Sequence, residues 1–157
     1  MVGLVLSDTF LLTASWDDND GDKVASGILQ IPFTESISSL LHDESELNAV
    51  LASALRQARE ANPFEGQKIY VGLPDAFVEH SIVPVEKDLS NNDHLNYIQW
   101  LESQKGRSGN HSVYLFGQVY FPSEHSIHVC SISRALVRTL KLSISELGGS
   151  PHWLGPV

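Results

Sequence analysis

The chain opens with short apolar runs separated by polar turns. Residues 2–6 (VGLVL) and 10–16 (FLLTASW) flank Ser7, Asp8 and Thr9, which predicts a β-hairpin with Asp8 near its turn. Asp17-Asp18-Asn19-Asp20-Gly21-Asp22 is a second turn, rich in residues that bond their own backbone or accept positive φ. A third strand follows over residues 24–31 and ends at Pro32. The apolar period then lengthens. Leu47, Val50, Leu51, Ala54, Leu55 and Ala58 form one stripe at helical spacing. Asp43 is placed to cap that helix, with Glu46 as the reciprocal acceptor of a capping box, and Asn62-Pro63 stops it. Residues 68–73 (KIYVGL) are almost wholly apolar, the pattern of a central strand buried on both faces.

Pro74-Asp75 interrupts the pattern, and residues 77–85 form another strand. A helix over residues 93–104 carries Leu95, Ile98, Leu101 and either Tyr97 or Trp100 on its apolar side. A loop at 106–110 leads to a hairpin of residues 113–121 and 126–132 around Pro122-Ser123-Glu124. Ser133 can cap a third helix, with Leu136, Val137, Leu140 and Ile144 inward and Gly148 placed to end it. The expected organisation is α/β. A β-β-β-α-β subdomain of ribonuclease-H-like or actin-like order spans residues 1–74, and a small α+β subdomain spans 75–149. Residues 150–157 form an extended segment that can return to the first subdomain.

Composition narrows the function. The 157 residues, 42% hydrophobic and 18% charged, fit an ordered globular protein. The net charge is −9, and the Lys and Arg residues are scattered, so nucleic acid is not an expected partner. No apolar run approaches the ~20 residues of a membrane helix, and the start lacks the basic residues of a signal peptide. Direct membrane insertion is therefore not expected. Cys130 is the single cysteine and lies in an alternating apolar run, so it reads as a small buried hydrophobe in a reducing compartment.

The chemistry-bearing residues form no complete set. The Asp-rich turn fails as a calcium loop: with Gly21 in sixth place, Trp16 would come first and Gly27 would close it. Asp8 is the only carboxylate near the end of the first strand, and Leu4, Val5 and Leu6 stand where a metal-dependent nuclease needs one. Of the seven histidines, His125 and His128 are three apart on a strand and point to opposite faces, so they are poor joint ligands. Gly-x-Ser-x-Gly, Gly-x-Gly-x-x-Gly and Gly-x-x-x-x-Gly-Lys are all missing. No catalytic, cofactor-binding or metal-binding residue is assigned.

The opening strand-turn-strand, the helix leading into KIYVGLP, the strand ending at Pro84 with a helix bearing Trp100, and Leu147-Gly148-Gly149 together resemble one family. It is the first half of the actin-like proteins of type IV pilus assembly, the PilM type, related to the cell-division protein FtsA. The resemblance implies a small inserted subdomain, to which DHLNYIQWLESQ and the two hairpin strands correspond. It also implies a cleft that accepts the short cytoplasmic tail of a membrane partner. Two departures concern nucleotide binding. Val5 and Ser7 stand where the family has Asp and Gly, and the half that supplies the second phosphate loop and the adenine pocket has no counterpart here.

The expected function is therefore a non-catalytic scaffold or adaptor that binds a protein or peptide partner near the inner membrane. It would be cytoplasmic, and peripheral at the membrane through that partner. Tyr97 and Trp100 are the candidate partner-binding residues, since aromatics are favoured at such interfaces. Two alternatives stay open: one lobe of a split ATPase or phosphotransferase, and a diverged ribonuclease-H-like nuclease.

Overall fold

A computed structural model describes residues 1–16, 25–86, 90–102, 104, 111–120 and 125–157. The turn expected at residues 17–22, the loop at 106–110 and the hairpin tip at 122–124 lie outside them. The chain forms two compact units, Met1–Phe77 with Ala135–Val157, and Val78–Arg134.

The first unit is built on a five-stranded sheet. Strands β1 (Val2–Leu6), β2 (Phe10–Ser15) and β3 (Ser26–Pro32) are consecutive antiparallel neighbours, with Val5 opposite Leu12 and Leu12 opposite Gln30. Strand β4 (Lys68–Leu73) runs parallel to β1, and β8 (Ser150–Pro156) runs parallel to β4. The strand order is β3-β2-β1-β4-β8. Parallel neighbours need crossovers, and helices α2 (Glu44–Ala61) and α4 (Arg134–Glu146) lie on them. Alternate strand positions make the core face: Val2, Leu4 and Leu6, then Leu11 and Thr13, then Ile69, Val71 and Leu73. The predicted stripe of α2 is buried except for Val50, which is half-buried.

The caps explain where the helices stop and start. Asp43 accepts from the Ser45 and Glu46 N–H groups, each at 3.0 Å. The Asp43 N–H itself donates to Leu40 O at 2.9 Å, so Glu46 does not serve as the reciprocal acceptor. A four-residue helix unforeseen from the sequence, α1 (Ile37–Leu40), supplies that carbonyl. At the end of α2, buried Asn62 donates from Nδ2 to Gly27 O at 2.8 Å and to Thr13 Oγ1 at 3.2 Å. One amide thereby ties the helix to β2 and β3. Gly27 has φ 61, and a Cβ there would lie 2.2 Å from Asn62 Oδ1, so the approach requires glycine. Helix α4 ends as predicted at Gly148, with φ 85. Its N–H donates to Ser145 O, and that of Gly149 donates to Ile144 O, each at 3.0 Å, which is a Schellman motif.

Two sequence expectations differ from the structure. The smaller subdomain was expected to run from residue 75 to 149, whereas the second compact unit spans Val78–Arg134. The reason is α4: Gly149 is wedged between its Ile144 and Ile69 of β4, an added Cβ there meeting Ile69 Cγ1 at 2.8 Å. Strand β4 is central, but Tyr70 on its second face is only half-buried. Both parallel steps advance in the same direction across the sheet, and right-handed crossovers then put both helices on one face.

Among its described residues, the second unit is a three-stranded antiparallel sheet with one helix. Its order is β5 (Val78–Pro84), β7 (His125–Ser133), β6 (His111–Tyr120). Val83, Ile127 and Val129 pack with Ile98 of helix α3 (Asn91–Glu102), and Val85 and Leu101 add to the cluster. The helix starts at Asn91 rather than Asp93 because Ser90 caps it. Ser90 Oγ accepts from the Asp93 N–H at 3.2 Å and donates to Asp93 Oδ2 at 2.6 Å.

Candidate functional site

The first hairpin turn is committed to structure. The Ser7 N–H donates to Phe10 O, and the Phe33 N–H to Thr9 O, both at 2.8 Å. Asp8 accepts at its carbonyl from the Ile37 N–H at 2.9 Å. Its Oδ1 accepts from the Ser38 N–H at 2.8 Å, and its Oδ2 from the Ser38 hydroxyl at 3.2 Å. The sequence suggests that Asp8 caps its own turn. In the structure it holds the start of α1, where a carboxylate meets unpaired N–H groups and the positive end of the peptide dipoles. Val5, near the end of β1, points away from the core and is 36% exposed.

Tyr97 and Trp100 stand on the outer side of α3. The buried positions of the helix are His94 and Ile98, with Leu95 and Leu101 half-buried. Tyr97 is 40% exposed and Trp100 56% exposed, so neither joins the core of the unit. Their rings stack with centroids 6.1 Å apart and planes at 23°. A three-residue spacing brings side chains together on a helix, so the sequence contains this pair once the helix is placed.

The centre of the second face of the five-stranded sheet is apolar and carries no helix among the described residues. Val5, Leu12, Trp16, Tyr70, Trp153 and Val157 line a groove of about 260 Å³ on it. Trp16 covers Gly3, where a Cβ would meet its ring at 2.6 Å, and its ring lies 5.9 Å from that of Tyr70. A larger cleft of about 430 Å³ is lined, among the described residues, by Met1, Ser15, Trp16, Pro63 and Gln67 and others, none with a charged side chain.

One cluster of metal-ligand type was not visible as a motif. His80 on β5 lies directly opposite Cys130 on β7. His128 precedes Cys130 by two residues and so shares its face. His80 Nδ1 is 3.1 Å from His128 Nε2 and 3.4 Å from Cys130 Sγ, and His128 Nε2 is 4.0 Å from that sulfur. Cys130 is buried as expected, and burial pushes its thiol pKa up. The histidines were expected at the surface or half-buried. His94 departs from that: it is 1% exposed, with Nε2 3.1 Å from Glu86 O.

No protein-family model and no curated protein matches the chain. Solved structures of similar fold include two that match it along nearly its whole length. One is the cytoplasmic domain of EpsL, an inner membrane component of the type II secretion system of Vibrio cholerae. Its TM-score is 0.57 at 9% identity, covering 97% of this chain and 54% of that one. The other is a chain of the PilM–PilN type IV pilus biogenesis complex. Its TM-score is 0.62 at 12% identity, covering 99% of this chain and 46% of that one. The chain spans about half the length of each. The likeness is one of fold, and it establishes the actin-like α/β architecture expected from the order of elements. No described helix is long and apolar enough to cross a membrane.

Proposed function

We propose that this chain is a non-catalytic scaffold or adaptor of a secretion- or pilus-type assembly. It recruits a protein or peptide partner, such as the cytoplasmic tail of a membrane protein, and is held at the inner membrane through it. The observation that carries this reading is the likeness of nearly the whole chain to an inner membrane component of a secretion system and to a chain of a pilus biogenesis complex. The commitment of Asp8 to α1, and Val5 in place of a carboxylate, support a role that needs no phosphate chemistry. The stacked, outward Tyr97 and Trp100 support a partner-binding role for α3.

The test has two arms. Calorimetric titration with ATP and magnesium is expected to give no heat of binding, and micromolar affinity with turnover would overturn the reading. Tail peptides of membrane proteins encoded beside this chain are expected to bind in a fluorescence anisotropy assay. Tyr97→Ala and Trp100→Ala should each weaken that binding by on the order of tenfold, as for buried aromatic anchors. Unchanged affinity in both variants would remove Tyr97 and Trp100 from the interface.

The actin-like architecture shared with both solved structures supports a second reading. Here the chain is one lobe of an ATPase or phosphotransferase, and another lobe supplies the second phosphate loop. ATP binding that arises only when such a lobe is co-expressed would decide for it.

A further inference from the structure

We infer that His80, His128 and Cys130 form a binding site for a thiophilic divalent metal ion of the zinc class. The three ligand atoms lie within 4.8 Å of one another. Tetrahedral zinc with Zn–N near 2.05 Å and Zn–S near 2.3 Å sets its ligands about 3.3 Å apart for N···N and about 3.6 Å for N···S. The observed separations are 3.1 Å for the two nitrogens and 3.4 and 4.0 Å from each nitrogen to the sulfur. A shift of a few tenths of an ångström in the His128 ring brings all three onto that geometry.

A cation takes a lone pair from all three atoms at once. The donor set, two imidazoles and a thiolate, is the borderline-soft one that zinc and its neighbours prefer over magnesium or calcium.

The sheet fixes the ligands. His80 and Cys130 are cross-strand partners, and His128 and Cys130 alternate onto one face of β7. The other face is pinned by Val83, Ile127 and Val129 against Ile98. The two imidazoles are already near parallel, 5.2 Å between centroids at 21°. The ligands are graded in exposure: Cys130 is buried, His128 half-buried and His80 exposed. This site is independent of the proposed scaffold role, and its failure would leave that role untouched.

The untagged full chain is titrated with Co²⁺ and followed by absorption spectroscopy, then back-titrated with Zn²⁺. One equivalent is expected, with the visible bands of tetrahedral Co²⁺ and a sulfur-to-cobalt charge-transfer band, both abolished by zinc. Cys130→Ser should lose the charge-transfer band. His80→Ala, at an exposed position that leaves the fold intact, should weaken zinc by on the order of 100-fold or more, since even outer-shell partners of a metal are worth about 10–100-fold. His42→Ala, at an exposed position in the first unit, should change nothing. Circular dichroism checks that each variant is folded. A weak octahedral cobalt spectrum in the wild type would overturn the assignment, as would equal zinc affinity in the wild type and His80→Ala.

Discussion

Asn62→Asp isolates the contribution of a single buried amide. The side chains are nearly isosteric, so packing is preserved and only the donor is lost. Asn62 is 2% exposed, and Nδ2 donates to Gly27 O at 2.8 Å and to Thr13 Oγ1 at 3.2 Å. Each lost bond is worth about 1 kcal/mol net. An uncompensated carboxylate facing a carbonyl adds desolvation and repulsion, for a total of about 3–5 kcal/mol at neutral pH. That is a large part of the ~5–15 kcal/mol that holds a domain together. With a urea slope of about 2 kcal/mol/M, the midpoint falls by roughly 2 M. Asn62→Ala is the comparator. It strands the same two acceptors without introducing a charge, at about 2–3 kcal/mol. The two variants differ in pH dependence. The site raises the pKa of the new carboxyl above its unfolded value of about 3.9, because burial disfavours the charged form. The folded state then holds the proton more tightly than the unfolded one. The extra penalty of Asn62→Asp over Asn62→Ala is absent below the unfolded pKa and grows as pH rises towards the folded one. Urea melts of both variants at pH 7 and pH 4 should show the gap closing at the lower pH. A gap that does not change with pH, or Asn62→Asp as stable as wild type at pH 7, would refute the role given to this amide.

Gly148→Ala should cost about 1–2 kcal/mol, because φ 85 is a left-handed conformation that a Cβ opposes, and thermal unfolding reads it directly. Asp8→Ala should cost about 1 kcal/mol, as for loss of a helix cap. Hydrogen exchange at the Ser38 amide should quicken, and unchanged protection there would contradict the contact at 2.8 Å. The Glu65 carboxyl is held below its ordinary value of 4.5, first by its own backbone N–H and next by the Arg59 guanidinium. That stabilisation is present above pH 4.5 and is lost as pH falls through the lowered pKa. Glu65→Gln should therefore flatten the acid limb of the stability profile slightly, the pair being solvent-exposed.

What was legible in the sequence was what short range controls. The apolar runs at Val2–Leu6 and Phe10–Ser15, the helical stripe from Leu47 to Ala58, and Gly148 as the stop of α4 all follow from neighbours along the chain. The pairing of β1 with β2, β2 with β3 and β6 with β7 followed too, since hairpins join consecutive strands. Tertiary structure decided the rest. The partner of Asp8 is thirty residues away at Ser38, and the Asp43 N–H, expected to meet the Glu46 carboxylate, donates instead to Leu40 O of a helix, α1, too short to leave a period. Tyr97 and Trp100 sat at the edge of a helical stripe, and only the packing of Ile98 against Val83, Ile127 and Val129 turned both outward. His128 and Cys130 share a face by simple alternation, so two of the three clustered ligands were readable. The third, His80, is forty-eight residues from His128, and register alone brings it opposite Cys130. A one-residue slip of β5 would turn His80 to the other face of the sheet. Periodicity along a strand is local, whereas register is set by the burial of a whole face, and no pattern within a single segment encodes it.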